Sequence, residues 1–212
     1  MALFDGARLD EAKEIIDRYP EGRERSAIMP LLYLAQSIEG YVSRDGLREV
    51  AELLGRTTAE VEAVATFYTM FRLRPTGTHV VSVCTNLACM LRGGREVYEA
   101  AHEAAGMRHG QELSEDGLFT LHEEECLGVC DFAPAVQVDV ANHDTVDPSA
   151  MRALIASLQG GEVPTPSRGP AFASFREASR ALAGLDATGG AAAASPDGAR
   201  ADQVAASEES SA

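Results

Sequence analysis

The chain's four cysteines stand in two short clips, Cys84-x4-Cys89 and Cys126-x3-Cys130, separated by residues 90–125. Four thiolates in two clips can surround one metal centre. Any fold that forms must then carry residues 84–89 and 126–130 to the same place. No cysteine is left over for another task. The segment around the second pair, LHEEECLGVCDFAP, is aliphatic, acidic and broken by glycine, as a ligand loop leaving a strand would be.

Soft sulfur donors suit zinc and iron–sulfur clusters. Zinc favours tight Cys-x2-Cys knuckles but accepts clips of up to four intervening residues. Iron–sulfur clusters take varied spacings, because two metal ions must be wrapped rather than one, and the pattern here differs from the plant-type Cys-x4-Cys-x2-Cys run. On spacing alone a [2Fe–2S] cluster, a zinc site and unligated thiols all remain open. A Rieske-type centre needs two histidine ligands, and His122 alone lies close in sequence. Dithiol exchange of the thioredoxin kind is disfavoured, since there is no Cys-x-x-Cys.

Other chemistry is sparse. No Gly-x-Gly-x-x-Gly follows a strand, so a dinucleotide site is not expected. Arg92-Gly93-Gly94-Arg95 at a helix start could hold an anion on free N–H groups, although a plain loop-to-helix turn is the simpler reading. The five histidines pair with no Ser or Asp at a recognisable spacing. The chain alone is therefore not expected to make or break covalent bonds. Its net charge of −15 argues against nucleic acid, which needs clustered Lys and Arg. An acidic surface fits a soluble protein that docks with a selected partner. Lys13 is the only lysine among the 18 cationic side chains, a bias read as genomic base composition. A hydrophobic content of 45% supports a packed core, while no apolar run is long enough for a membrane span. The acidic, amphipathic start MALFDGARLDEAKE resembles neither a secretory signal nor a transit peptide, so a cytosolic or already processed chain without structural disulfides is expected.

Residues 8–74 read as helical. Asp10 can cap a helix through Ile15, Ile16 and Tyr19 that Pro20 stops. Ile28, Leu31, Leu32, Leu34, Ala35 and Ile38 recur at helical spacing up to Gly40. Ser43 can cap a third helix carrying Leu47, Val50, Ala51, Leu53 and Leu54, with Gly55 after it. Thr57-x-x-Glu60 has the capping-box pattern, and its helix is expected to carry Val61, Val64, Ala65, Phe67, Tyr68 and Phe71. The stretch TFYTMF is read as a buried helix face in preference to a partner surface.

The texture changes at Pro75-Thr76-Gly77. Strands are expected at 79–83, 118–121 and 135–140, with a short one near Thr145-Val146. Helices are expected from Gly94 to Ala105 and from Pro148 through Met151, Leu154, Ile155 and Leu158 to Gly160-Gly161. This order makes a small α/β sandwich with a mixed sheet. The division is then a helical domain over 1–75, an α/β domain over 76–163 and a C-terminal extension over 164–212. Phe172, Phe175, Leu182 and Leu185 can line a short helix within 171–185, and the remainder has too little hydrophobic mass to order itself.

The runs MPLLYLAQSIEGYVSRDGLREVAELL, VEAVATFYTMF, VCTNLACMLRGG and GLFTLHEEECLGVCDFAPAVQV resemble the 24-kDa-type subunit of respiratory NADH:quinone oxidoreductase. The resemblance covers residues 10 to 162 or thereabouts and keeps both cysteine pairs in register. It implies an α+β architecture, in which an N-terminal helical bundle precedes a thioredoxin-like domain holding one [2Fe–2S] cluster on Cys84, Cys89, Cys126 and Cys130. It further implies a flavoprotein partner that carries FMN and oxidises NADH, within the peripheral arm at the cytoplasmic face of a membrane, without direct insertion. The same module resembles subunits of NAD-dependent formate dehydrogenases and NAD-reducing hydrogenases. The competing classes are a zinc-stabilised interaction module and a thiol redox sensor. If the cluster is present, Glu123, Glu124, Glu125 and Asp131 oppose its reduction. One carboxylate at about 8 Å and an effective dielectric of about 20 costs the reduced state roughly 2 kcal/mol before screening. VDVANHDTVDP lacks the aromatic residues the family pattern leads one to expect, which leaves that turn open.

Overall fold

The computed structural model describes residues 2–186; the expectation of a disordered tail falls largely on 187–212, outside the described residues. Helix α1 (Ala7–Asp17) starts three residues ahead of the expected cap. Gly6 holds the N-cap position at φ 50 with no side-chain cap. Asp10 instead lies in the first turn, where a carboxylate meets the positive end of the helix dipole. Tyr19 falls beyond the helix end.

Helix α2 (Ile28–Glu39) buries Ile28, Leu31, Leu32, Tyr33, Leu34, Ala35 and Gln36. A helix buried on nearly every side belongs at the centre of its bundle. Gly40 closes it in the left-handed conformation, φ 86. Helix α3 (Arg44–Leu53) begins where Ser43 Oγ accepts the Gly46 N–H at 3.0 Å. Helix α4 (Thr58–Phe67) has the expected capping box, with Glu60 N–H to Thr57 Oγ1 at 3.3 Å and Thr57 N–H to Glu60 Oε2 at 3.1 Å.

The reading of TFYTMF as a buried helix face is corrected. The helix stops at Phe67, and Tyr68 is extended. Phe67 is 76% exposed and Tyr68 and Met70 are partly exposed, whereas Phe71 turns back to bury its ring 4.7 Å from that of Tyr33. Apolar periodicity counts side chains but does not register where the backbone leaves the helix.

Four strands follow: β1 (His79–Cys84), β2 (Phe119–Glu124), β3 (Val136–Val138) and β4 (Ala141–His143), in the order β2-β1-β3-β4. β1 pairs parallel with β2 and antiparallel with β3, and β3 pairs antiparallel with β4. The parallel pair requires a crossover, supplied by α5 (Leu87–Leu91) and α6 (Gly94–Ala104). Helix α7 (Pro148–Gln159) is capped by Asp147, which accepts the Ala150 N–H at 2.8 Å. Val81, Val83, Phe119, Leu121, Val136 and Val138 of the sheet form one core with Val97, Met151, Ile155 and Leu158 of α6 and α7.

Two strand expectations shift. The third strand ends at Val138, because Asp139 and Val140 form a tight turn at φ 47 and φ 67. The fourth strand occupies 141–143 rather than Thr145-Val146. Buried Asp139 pins that turn: Oδ1 accepts the Val80 N–H at 2.8 Å and Oδ2 lies 2.6 Å from His79 Nδ1.

The chain then returns to the first core. Ser167 N–H donates to Asn142 O at 2.7 Å, and Arg168 pairs with Asp144 beside β4. Helix α8 (Phe175–Leu182) packs on α2. Ser179 Oγ lies 3.2 Å from Gln36 Nε2, and Arg180 pairs with Glu11 at 2.5 Å. Its buried side is Phe175, Ala178 and Ser179, while Leu182, expected in the apolar stripe, is 42% exposed. The first core accordingly joins α1–α4 to Ala183 and Leu185 near the end of the described chain.

Candidate metal centre

Because β1 and β2 run parallel in register, from His79 opposite Phe119 to Cys84 opposite Glu124, their C-termini lie side by side at one end of the sheet. Cys84 is the last residue of β1 and Cys126 follows β2 by two positions. The ladder continues past the strands, with Thr85 N–H to Glu124 O at 3.1 Å and Cys84 N–H to Ala135 O at 3.0 Å. Cys89 lies on α5, whose N-cap Asn86 accepts the Leu87 N–H at 2.6 Å. Cys130 opens a short 3-10 turn, Cys130–Phe132, and the Ala133–Pro134 peptide after it is cis.

The sulfurs of Cys126 and Cys130 are 3.8 Å apart. Cys84 and Cys89 form the second pair, each 2% exposed and packed among Val129, Ala133 and Ala135. Cys126 and Cys130 are exposed. Burial pushes the Cys89 thiol up to about 11, reinforced by Cys84 and Cys130 and opposed by the Ala135 backbone. Hydrogen bonding to Cys126, followed by the charges of Cys126 and Cys84, raises Cys130. Geometry brings the two clips together: Cys84 Sγ lies beside the carbonyl of Glu125, the neighbour of Cys126, and Cys84 and Cys89 share one buried cluster with Val129, the neighbour of Cys130. Among the described residues no three His, Cys, Asp or Glu side chains converge as they would on a single ion. Gly128 N–H donates to Cys126 Sγ at 3.4 Å, and Cys84 Sγ is 3.7 Å from Glu125 O.

Two residues of the Arg92–Arg95 run have supporting roles that the sequence does not reveal. A Cβ on Gly94 would lie 2.7 Å from Cys84 O and 2.9 Å from Cys89 O, so only glycine lets α6 press this closely on the first clip. Arg92 Nε donates to Ala133 O at 2.8 Å and ties the first clip to the second. The Arg92–Arg95 run is thus a loop-to-helix turn, with Gly93 at φ 93. The Gly-Gly pair just after a clip was visible as a signal; the close approach it permits was not.

The acidic residues separate into two kinds. Glu123, Glu125 and Asp131 are exposed, whereas half-buried Glu124 pairs with Arg72 at 3.5 Å. His122 lines a groove of about 630 Å³ with Arg72, Arg74, Thr76 and Glu112. Burial, with a smaller contribution from Arg72, pushes its imidazole down to about 4, and its Nε2 has no partner.

Four thiols in two pairs fit a two-iron cluster. Thiolates about 2.3 Å from a tetrahedral metal sit about 3.8 Å from each other, the spacing Cys126 and Cys130 already have.

The profile of the thioredoxin-like [2Fe–2S] ferredoxin family matches residues 12–159. The chain belongs to that family. It is 46% identical over 180 residues to a subunit of the NADH-quinone oxidoreductase of Mycobacterium tuberculosis, covering 84% of this chain and 70% of that one. It is 38% identical over 163 residues to a subunit of the NADH-quinone oxidoreductase of Thermus thermophilus, covering 76% and 89%. Among solved structures, an air-oxidised NAD+-reducing [NiFe]-hydrogenase superposes with a TM-score of 0.55 at 21% identity. That likeness covers 63% of this chain and 23% of the hydrogenase chain, and it is one of fold.

Proposed function

We propose that this protein is the iron–sulfur electron-carrying subunit of an NADH:quinone oxidoreductase, with one [2Fe–2S] cluster held by Cys84, Cys89, Cys126 and Cys130. The observation that carries the reading is the delivery of two cysteine pairs to one end of the sheet, in a chain 46% identical to a component of such an enzyme. When bound, the cluster supplies a one-electron couple. Cys84 and Cys89 hold its inner side among apolar side chains; Cys126 and Cys130 bring its outer side to the surface. The Gly128 amide, aimed at Cys126 sulfur, favours added negative charge there.

The proposed partner is a flavoprotein subunit carrying FMN and NADH, together with other subunits of the peripheral arm. Leu87 within the first clip, Leu91 just after it and Phe132 just after the second are exposed apolar groups of the kind that protein interfaces cover. Among the described residues no helix is long and apolar enough to cross a membrane. Attachment at the cytoplasmic face is accordingly proposed to run through the complex. The separate cores support a division into a helical part over 1–75 and a cluster domain over 76–163, with the extension after 164 folding back on the former.

Iron and acid-labile sulfide analysis of anaerobically purified protein tests the cofactor. Two of each per chain and an EPR signal on reduction are expected. Stoichiometric zinc without iron would overturn it. Identification of the co-purifying subunits tests the partner.

A further inference from the structure

We propose that Arg72 sets the charge at the outer ligand pair, and that Gln36 of α2 holds Arg72 in place to do so. The inference rests on the reading of the centre as a redox cluster. Arg72 lies in the link between α4 and β1, and its Nη2 is 3.5 Å from Glu124 Oε1. The two side chains are only 18% and 26% exposed. Glu124 ends β2 two residues before Cys126, and Arg72, Glu124, Cys126 and Leu127 line one cavity of about 260 Å³.

Arg72 is fixed through its backbone. Its N–H donates to Gln36 Oε1 at 2.8 Å, and its carbonyl accepts the Val42 N–H at 2.7 Å. Gln36, 1% exposed, also donates from Nε2 to Met70 O and Ser179 Oγ, both at 3.2 Å. One buried amide thus joins α2, the link and α8, and it aims the arginine stem at the end of β2. Arg72 Nε is buried without a partner. A guanidinium stays protonated in proteins, so this cation is desolvated and only partly offset. In such surroundings a charge is felt more strongly than in water.

Reduction adds negative charge at the cysteine pairs. Arg72 favours the reduced state and Glu124 opposes it, so removing them one at a time must move the potential in opposite directions. Anaerobic, EPR-monitored redox titration of the full chain, with iron and sulfide measured on every variant, provides the test. Arg72→Gln should lower the reduced-to-oxidised ratio about tenfold at the unmodified midpoint, a fall of about 59 mV for a one-electron couple. Glu124→Gln should raise the midpoint. The double variant should return near the starting value. Arg72→Lys, which keeps the charge, should lie closer to the starting value than Arg72→Gln. Gln36→Leu should lower the midpoint part of the way while the cluster is retained.

Unchanged midpoints in cluster-replete Arg72→Gln and Glu124→Gln would overturn the proposal. Shifts of the same sign in both would also overturn it, because they would indicate a packing role. If Arg72→Gln fails to hold iron, Glu124→Gln and Arg72→Lys carry the test by themselves: a raised midpoint in the first and a nearly unchanged one in the second support it, and any other pair overturns it. Absence of iron from the unmodified chain would instead defeat the reading of the centre as a cluster.

Discussion

At the scale of single residues, Gly94 is the sharpest constraint beside the centre. A methyl group 2.7 Å from the Cys84 carbonyl cannot be accommodated without moving the first clip. Gly94→Ala is expected to cost roughly 1–3 kcal/mol through overpacking and to lower iron per chain while far-UV circular dichroism is retained. Full iron content would sink this expectation. Val140 presents the reverse case, a β-branched residue at φ 67 in a two-residue hairpin turn. Such turns favour glycine. Val140→Gly should stabilise the protein by about 0.5–1 kcal/mol in chemical denaturation; a loss would show that packing of the Val140 side chain outweighs the backbone strain. Two titrations follow from burial. Between about 9 and about 11 the unfolded chain has lost the Cys89 proton and the folded, metal-free chain keeps it, so its stability should fall as pH rises. Between about 6.5 and about 4 the unfolded chain protonates His122 and the folded chain does not, so stability should fall as pH drops. A His122 resonance that titrates near 6.5 in the folded protein would contradict the second. The cysteines were legible because their identity and spacing are written in the chain. The roles of Gly94, Arg92 and Arg72 were not, because each depends on a close approach between segments that only the fold brings together.

At the scale of elements, local rules served best where the partners are local. Ser43 and Thr57–Glu60 cap their helices as their spacing implies, since donor and acceptor lie within four residues. The sequence pattern extends the third strand through Asp139-Val140, because this turn contains no glycine and is held by Val80 and His79, some 60 residues earlier in the chain. The exposure of Phe67 and Tyr68 was missed for a different reason: periodicity cannot see a helix end that carries no Gly or Pro. Helix α8 combines both difficulties. Eight residues are too few to persist alone in water, yet its buried side meets α2. Amide exchange of the isolated chain should therefore protect 175–182 without any partner. Phe175→Ala should cost about 3 kcal/mol in denaturation and expose α2 to faster exchange. Fast exchange at 175–182 in the unmodified chain would refute the docking of this helix.

At the scale of the whole molecule, the sheet and its two helices form a core that contains no residue before Val81 or after Leu158. A fragment over 76–163 should accordingly fold, hold iron and give the reduced EPR signal, with the midpoint lowered by loss of Arg72. A fragment that is unfolded or free of iron would show that the helical part is needed for more than docking. The α+β layout was legible because the change from helical to strand-like patterning falls at one place, Pro75-Thr76-Gly77. The return of the C-terminal segment to α2 was not, because nothing near α2 in sequence marks which of its faces awaits a later helix. That return has a consequence for biosynthesis. Gln36 is made long before Ser179, and at about 5–20 residues per second the interval is on the order of ten seconds. Throughout it, the nascent helical part presents an uncovered apolar flank and an unanswered amide. Ribosome-bound chains stalled before residue 175 should therefore be better substrates for holdase chaperones than chains stalled after α8 has cleared the exit tunnel, and equal capture of the two would rule this out.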